Sequence, residues 1–463
     1  MRWGVLVCVL LAIADRAEAV LRAGAAMVKI TPPPGTLING GINPSVAREV
    51  HDDLYARCLV LDDGRAKLAI VIIDTCLIDR PILDRAKAIV QSQTGIAPAN
   101  QLMSATHTHS AGAICGVHLT DADQAYRASI PALAAVAVEQ AAAKLAPAQI
   151  AWGRGSVPQH VFCRRILLRP KSSYVNQLGQ GNQLAKMNWD SPHPDDLDFA
   201  GPVDPEVFVV SVRHADGRPL SLLANYSLHY VGDVAPGHIS ADYFGAFCRM
   251  IAERLNVREP DFVAMMSNGT SGDINNNDFR VRRIPAPPYT RINQVAGEVA
   301  DEVQKVLGTL TYQSDVKLES TVTELTLLTR RPTADEVARA KQILNGRTPE
   351  KLSGWTDNYA RDALILADYP PSVSLPLQVI RIGDLRIAAW PGEIFASTGL
   401  ELKKSSPAKP LFNISLASGW YGYIPPPEQH ALGTYETWLA RTSFLETQAT
   451  VKMIAVFLEM LAD

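Results

Sequence analysis

Two histidines spaced two residues apart are the first side chains in this sequence that could do chemistry. They lie in Thr106-His-Thr-His-Ser110, directly after the apolar run at residues 101–105, which predicts a buried strand. Alternate residues of an extended chain share one face, so both rings can reach one point at the strand end. Imidazole binds metals and titrates near neutral pH. His107 and His109 are therefore candidate ligands or proton-transfer groups, although polar residues that simply end a strand would give the same pattern.

Three further polar or aromatic groups also follow apolar runs: His229, Glu393 in Trp-Pro-Gly-Glu, and Tyr423. Each has a structural explanation when it is taken alone, because lone histidines and aromatics are often core residues and a carboxylate favours a helix start. Taken together, two histidines, a carboxylate and a phenol can hold Zn²⁺ and leave a position for water. Water bound in this way is acidified towards neutral pH and can attack a carbonyl.

The composition is that of a folded globular protein, with 463 residues, 47% hydrophobic and 20% charged. A net charge of -3 and the lack of a long basic run give no reason to expect a nucleic-acid partner. No segment after the N-terminus is long and apolar enough to predict a transmembrane helix. The sequence does not specify the oligomeric state.

The N-terminus has the three parts of a secretory signal peptide. A basic start at Met1-Arg2 precedes an apolar run at residues 3–14, and Ala17-Glu18-Ala19 is an A-x-A cleavage site. We therefore predict a signal peptide over residues 1–19, a mature domain over residues 20–463, and a secreted or periplasmic location.

The elements that must position these residues alternate between hairpins and helices. Hairpin turns are predicted at residues 62–64, 216–217 and 383–384, and helical periodicity occurs at residues 79–90, 242–255 and 292–307. Regular βαβ alternation is absent, which disfavours a Rossmann fold or a barrel. The prediction is a single large α/β (α+β) domain with mixed or antiparallel sheets flanked by helices. No internal repeat is apparent in the sequence.

The chain resembles the neutral/alkaline (non-lysosomal) ceramidase family. The resemblance runs from residue 23 almost to the C-terminus, and the order of His-Thr-His-Ser and the later Pro-Gly-Glu is its most specific feature. It implies a neutral-ceramidase-like catalytic domain over residues 20–463 without the C-terminal β-sandwich of the family's long form. Its landmarks are Val28-Lys-Ile-Thr-Pro-Pro-Pro-Gly35, Leu54-Tyr-Ala-Arg57, Thr106-His-Thr-His-Ser110, Gly201-Pro-Val-Asp-Pro-Glu206, Gly272-Asp273 and Trp390-Pro-Gly-Glu393.

The resemblance also implies roles for individual residues. His109 would contact the reacting amide, Arg164 would bind substrate, and Tyr435 would stabilise the oxyanion, a task that suits a phenol. The implied cofactor is Zn²⁺, and its implied ligands are His107, His229, Glu393 and Tyr423.

One loop departs from the family pattern. Where the family has Gly-Asp-Val-Ser-Pro-Asn, this chain has Gly272-Asp-Ile-Asn-Asn-Asn277, so Asn275 takes the place of a serine implicated in ceramidase catalysis. Ser271 lies close by, on the other side of Gly272-Asp273. An amide cannot act as a base or a good nucleophile. We therefore expect a substrate more polar than ceramide, with ceramide as the second candidate.

The function predicted from the sequence is a secreted zinc-dependent hydrolase that uses zinc-activated water to cleave the amide bond of an N-acyl substrate. The substrate would be a small molecule or lipid-like, and the resemblance links it to sphingolipid metabolism. Two alternatives stay open. One is a metal-dependent hydrolase of an ester or a glycan-derived polar substrate, and the other is a non-catalytic binding protein with the same fold.

Overall fold

The computed structural model describes residues 20–187, 192–282 and 284–462. The predicted signal peptide, residues 1–19, lies outside these ranges. The helices are α1 (Arg80–Thr94), α2 (Gln124–Ala143), α3 (Asp242–Arg254), α4 (Thr290–Leu307), α5 (Ala334–Leu344), α6 (Gly354–Ala367), α7 (Ala396–Ser405), α8 (Pro427–Leu432) and α9 (Ala449–Ala462). The strands are β1 (Arg22–Lys29), β2 (Leu37–Ile38), β3 (Ser45–Val46), β4 (Glu49–Val50), β5 (Tyr55–Asp62), β6 (Lys67–Ile73), β7 (Gln101–Ala105), β8 (Ala146–Ser156), β9 (Phe162–Cys163), β10 (Arg165–Leu168), β11 (Ala185–Met187), β12 (Asp196–Phe199), β13 (Glu206–His214), β14 (Pro219–Tyr226), β15 (His238–Ile239), β16 (Val263–Asn268), β17 (Ile274–Asn275), β18 (Leu318–Leu328), β19 (Ser372–Ile382), β20 (Leu385–Ala389), β21 (Glu393–Ile394), β22 (Leu411–Ile414) and β23 (Tyr423–Ile424).

One four-stranded arrangement occurs three times along the chain. A first strand pairs with a hairpin, and a helix then leads to a last strand that runs parallel to the second hairpin strand. The three units have the strand orders β1-β5-β6-β7, β8-β13-β14-β16 and β18-β19-β20-β22. Two residue pairs between β1 and β8 join the first two units into an eight-stranded sheet. The units share topology but differ in the lengths of their connections, so no fixed period marks this repeat in the sequence.

The three units pack around one apolar core, to which strands of all three contribute. In this core Phe208 of the second unit stacks on Phe412 of the third, with ring centroids 4.6 Å apart. Helices cover the outer faces: α1 and α2 cover the first unit, and α3 and α4 cover the second. Helix α9 covers the third unit. Central strands such as β6 and β14 therefore have both faces covered, which explains why they are near-continuous apolar runs. Strand β18 of the third unit is mostly half-buried and alternates apolar and polar residues.

The strand ends of the three units meet at one end of this core. The side-chain amide of Asn268, at the end of β16, donates to the carbonyl oxygens of Thr106 and His229, both at 3.1 Å. The carbonyl oxygen of Asn268 accepts from the backbone of Ser415, just after β22, at 3.0 Å. These bonds connect the segments that follow β7, β14, β16 and β22.

Residues 160–187 and 192–205 contain more regular structure than their polar, proline-rich sequence predicts. They contain a small sheet in the order β11-β10-β12. A buried ion pair between Lys186 and Asp196, with 2.9 Å between Nζ and Oδ2, spans this sheet. Met187 at its edge packs against Tyr423 and Tyr435. The segment therefore covers part of the predicted site.

Two further observations bear on the sequence predictions. Within the described ranges, no helix combines the length and apolar character needed to cross a bilayer. Cys58, Cys76, Cys115, Cys163 and Cys248 are all buried free thiols.

Candidate metal centre and active site

His107 and His229 face each other through their Nε2 atoms, which are 2.8 Å apart. Each Nδ1 lies 2.9 Å from a carbonyl oxygen, that of Cys76 for His107 and that of Ser271 for His229. Because a carbonyl oxygen only accepts, each ring in its neutral form carries its hydrogen on Nδ1 and keeps a lone pair on Nε2. Two lone pairs at this distance repel each other. A cation bound by both nitrogens would remove that repulsion.

Glu393 and Tyr423 reach the same point from the third unit. They are direct partners in the short parallel pair β21–β23. Glu393 Oε2 lies 3.3 Å from His107 Nε2 and 3.5 Å from His229 Nε2, while Tyr423 Oη lies 3.5 Å from His229 Nε2. Trp420 donates to the other carboxylate oxygen at 2.9 Å, whereas Oε2 receives no hydrogen bond of ordinary geometry from the described residues. A buried carboxylate oxygen in this state fits a metal ligand.

His107, His229 and Glu393 are all buried, and their ligand atoms lie within 4.8 Å of one another. Sequence reasoning predicted these ligands but missed Asn268, which ties the loops of the two histidines together. Asn268 is the last residue of an apolar strand. A polar residue at the end of an apolar strand is also the pattern that singled out His107, so the same pattern could have identified Asn268. His107 has φ +81°, an uncommon value that a functional site often imposes.

The electrostatic environment keeps Glu393 and His229 in the forms that bind a cation, whereas it keeps the Tyr423 phenol protonated. Burial would raise the pKa of Glu393, but the neighbouring His107 and the bond from Trp420 hold it below its ordinary value. Burial, together with the positive charges of neighbouring groups, lowers the pKa of His229 well below its ordinary value. Burial and the charge of Glu393 raise the pKa of Tyr423 well above its ordinary value. A bound cation would instead lower the pKa of the Tyr423 phenol.

His109 lies beside this group, with its Nε2 3.3 Å from that of His107. Its ring stacks on Tyr230, with centroids 3.7 Å apart and planes 15° apart. A Cβ at Gly40 would lie 2.5 Å from His109 Cγ, so the approach of this loop requires glycine. Burial and the nearby His107 lower the pKa of His109 well below its ordinary value. It is therefore a neutral imidazole near neutral pH.

Arg164 is a buried cation with a guanidinium donor that can bind a further acceptor. Its Nε donates to Glu436 Oε1 at 2.8 Å, and Arg165 takes the other oxygen of the same carboxylate at 2.7 Å. The guanidinium carbon of Arg164 lies 5.2 Å from the Tyr423 ring centroid. Its Nη2 is buried and has no hydrogen-bond partner in the described part of the chain. Arg164 can therefore donate to a further acceptor next to Tyr423.

Tyr435 packs edge-on against Tyr423, with ring centroids 5.4 Å apart. Its hydroxyl lies 3.0 Å from Nε2 of His118, a residue that sequence reasoning missed because it is a lone histidine in a loop. Burial and the charge of Glu393 raise the pKa of Tyr435 well above its ordinary value. The phenol therefore keeps its hydrogen and can donate it.

Ser271 and Asn275, the residues of the divergent loop, have different surroundings. The Ser271 hydroxyl donates to Asn268 Oδ1 at 2.7 Å, and its carbonyl oxygen orients His229. Asn275 is half-buried on β17. It pairs with Phe162 of β9, which lies two residues before Arg164 in the chain. The Ser271 side chain thus supports the scaffold behind the histidines.

The fold and the sequence of this chain are similar to those of neutral ceramidases. Neutral ceramidase of Pseudomonas aeruginosa is 21% identical over 457 residues, which cover 84% of this chain and 64% of that enzyme. The chain therefore spans less than two thirds of this relative's length. No model of a known protein family matches the chain.

Two solved structures show the same fold. The crystal structure of neutral ceramidase from Pseudomonas aeruginosa superposes with a TM-score of 0.70 at 17% identity, over 96% of this chain and 74% of that one. A ceramidase complexed with C2 also superposes with a TM-score of 0.70, at 16% identity, over 96% of this chain and 75% of that one. The predicted resemblance and the predicted fold class, a single mixed α/β domain with sheets flanked by helices, are confirmed. The roles of the individual site residues stay predictions.

Proposed function

We propose that this chain is a zinc-dependent hydrolase that cleaves the amide bond of an N-acyl substrate. The observation that carries the proposal is the convergence of two Nε2 lone pairs on a buried carboxylate oxygen that lacks an ordinary hydrogen bond. With Tyr423 as a fourth donor, His107, His229 and Glu393 form a donor set that suits Zn²⁺. A bound zinc ion would supply a Lewis acid and would acidify a water molecule.

The other site residues have defined tasks in this proposal. Tyr435 and Arg164 donate hydrogen bonds to the carbonyl oxygen on which negative charge develops, the stabilisation that usually contributes most to acyl transfer. His109 is a neutral ring beside the ligands, so it can orient the amide and exchange a proton with it. The small sheet that carries Met187 covers Tyr423 and Tyr435 and limits the access of water.

Turnover of a panel of N-acyl compounds and matched esters tests this proposal. Wild type should release the acyl group from an amide, lose this activity in a chelator and regain it with zinc. His107→Ala should be inactive. His160→Gln should be unaffected, because His160 contacts Glu298 on α4 instead of the site.

The same panel decides between the alternatives. Cleavage of esters or glycan-derived substrates with no cleavage of amides would favour the first alternative. Binding without any turnover would favour the second, a non-catalytic binding protein.

The divergent loop supports a substrate more polar than a two-chain sphingolipid. Asn275, together with Asn276, Asn277 and Asp278, makes this loop rich in hydrogen-bonding groups. We expect short polar N-acyl compounds to be better substrates than ceramide. A ceramide kcat/KM at or above ~10⁴ M⁻¹s⁻¹ would contradict this and return the role to sphingolipid metabolism. In that case Asn275→Ser should change little.

Export of the protein is the remaining part of the proposal. The basic start, the apolar run and the Ala17-Glu18-Ala19 site support a cleaved signal peptide and a secreted or periplasmic enzyme domain over residues 20–463. N-terminal sequencing of the exported protein should begin at Val20 or within a residue or two of it. An exported chain that retains Arg2 would contradict cleavage.

A further inference from the structure

His118 is a buried histidine that contacts Tyr435 and lies outside the predicted ligand set. Its Nε2 is 3.0 Å from the Tyr435 hydroxyl, and the two rings are tilted by 32° with centroids 6.0 Å apart. His118 is 5% exposed and Tyr435 is 7% exposed, so water does not compete freely for this bond. Hydrogen bonds in such surroundings fix geometry more firmly than exposed ones.

The backbone conformation of His118 and the contacts of its carbonyl oxygen fix the position of the residue. The residue has φ +55°, which a non-glycine residue adopts only where its neighbours enforce it. Its carbonyl oxygen accepts a hydrogen bond from the guanidinium of Arg441. The Arg441 guanidinium also donates to the carbonyl oxygen of Gly116 at 3.1 Å. It forms a buried ion pair with Asp362, with 2.6 Å between Arg441 Nε and Asp362 Oδ1. The imidazole is therefore presented to Tyr435 by a rigid arrangement.

We propose that His118 is a positioning residue that donates from Nε2 to the Tyr435 hydroxyl oxygen, so that the phenol hydrogen points to the carbonyl oxygen of the substrate. The inference rests on the proposed function, in which Tyr435 is an oxyanion donor. A phenol has one hydrogen, and a phenol that donates it to His118 cannot donate it to the substrate. The direction of this one bond therefore decides whether Tyr435 can act.

The surroundings of the ring favour a neutral imidazole with its hydrogen on Nε2. Burial, followed by the charge of Arg441, lowers the pKa of His118 to about 4, so near pH 7 it carries one hydrogen. Nδ1 is buried and makes no hydrogen bond of ordinary geometry within residues 20–187, 192–282 and 284–462. A buried N–H without an acceptor is rarer in proteins than an unpaired acceptor.

As placed in the structure, Asn358 raises the pKa of His118, which is the effect of an amide oxygen that faces the ring. In the structure its Oδ1 is the end that lacks a partner among the described residues. The two ends of a primary amide have nearly the same shape, so Asn358 can turn its N–H towards Nδ1. That orientation gives Nδ1 a donor and leaves the hydrogen of His118 on Nε2. The orientation with Oδ1 towards the ring would place the hydrogen on Nδ1, and the nitrogen spectrum described below distinguishes the two.

Kinetics of four variants test the positioning role: His118→Leu, His118→Gln, Tyr435→Phe and the double variant His118→Leu/Tyr435→Phe. We expect His118→Leu to lower kcat by about tenfold or more with a KM within about threefold, because only transition-state stabilisation is weakened. His118→Gln can donate through its amide and should recover most of kcat. In the Tyr435→Phe background, His118→Leu should cause no further loss. His160→Gln is the matched control.

A spectroscopic measurement tests the contact without relying on turnover. Proteins labelled with ¹⁵N-histidine should show His118 protonated on Nε2, and Tyr435→Phe should shift that resonance. Hydrogen on Nδ1, or losses in kcat that multiply in the double variant, would overturn the proposal. A wild type that turns over none of the panel would refute the proposed function, while the nitrogen spectrum would still test the bond on which His118 acts.

Discussion

At the scale of single residues, two backbone carbonyl oxygens determine which nitrogen of each candidate histidine ligand is available to a metal. His107 and His229 keep lone pairs on Nε2 because the carbonyl oxygens of Cys76 and Ser271 occupy Nδ1. Every residue has a backbone carbonyl, so residue type does not indicate which carbonyl will orient a histidine. The pattern of two histidines, a carboxylate and a phenol was therefore predictable, whereas the atoms that orient them were not.

Asp273, in the Gly-Asp landmark, gives a prediction about pH and stability. It is 1% exposed and accepts a hydrogen bond from the backbone of Ala396 at 2.8 Å. Burial raises its pKa from 3.8 to about 6. A raised pKa means that its contribution to stability is fully present below pH 3.8 and is lost as pH rises through 6.

The substitution Asp273→Asn removes this titration and keeps an oxygen for Ala396. We expect the unfolding free energy of the variant, relative to wild type, to improve by about 2 kcal/mol between pH 4 and pH 7, because most of the pKa shift of Asp273 falls inside this range. Urea unfolding of both proteins across this range measures it. Asp301→Asn, a surface control whose side chain is 58% exposed, should show no such trend. A difference that is constant with pH for Asp273→Asn would contradict the assignment.

At the scale of elements, long periodic segments were predictable and short pairings were not. Strand β7 and helix α3 occur where the sequence predicted them. Strands β21 and β23 are two residues long and are partners only because the chain returns after thirty residues. A two-residue strand has no periodicity to detect. The alignment of Glu393 with Tyr423 therefore had to come from the structure.

The close approach of β21 and β23 predicts the effect of a small substitution. A Cβ at Gly392 would lie 2.8 Å from the carbonyl oxygen of Gly422 and 2.8 Å from Ile424 Cδ1. Gly392→Ala must therefore push the two strands apart and separate Glu393 from Tyr423. We expect zinc affinity to fall by about 10- to 100-fold in chelator competition.

The matched control is Gly297→Ala in α4, where the nearest atom to the new Cβ is Arg254 Nη2 at 3.7 Å. This control should bind zinc as wild type does. Unchanged affinity in Gly392→Ala, in a variant that is folded by circular dichroism, would show that the strand spacing does not position the ligands.

At the scale of the whole molecule, the site lies where the three structural units meet. His107 follows β7 of the first unit, His229 follows β14 of the second, and Glu393 and Tyr423 come from the third. The units share one apolar core and are joined at the site by the bonds of Asn268. A metal ion held there would link all three units.

This arrangement predicts that zinc stabilises the entire domain. Binding to the folded state alone raises the unfolding free energy by about 2.7 kcal/mol at 100 times Kd. Differential scanning calorimetry should therefore show a higher Tm for the wild type with zinc than without it. Glu393→Gln should lose most of that increase. An equal increase in both proteins would indicate that zinc binds elsewhere.

The zinc content of the purified protein, measured together with amide turnover on the same sample, tests the central claim most directly. The proposed four-ligand site predicts about one zinc per chain, and His107→Ala or His229→Ala should remove both the metal and the activity. Elemental analysis beside a single-substrate assay is sufficient for the comparison. A protein that is fully active with no detectable metal would contradict the account.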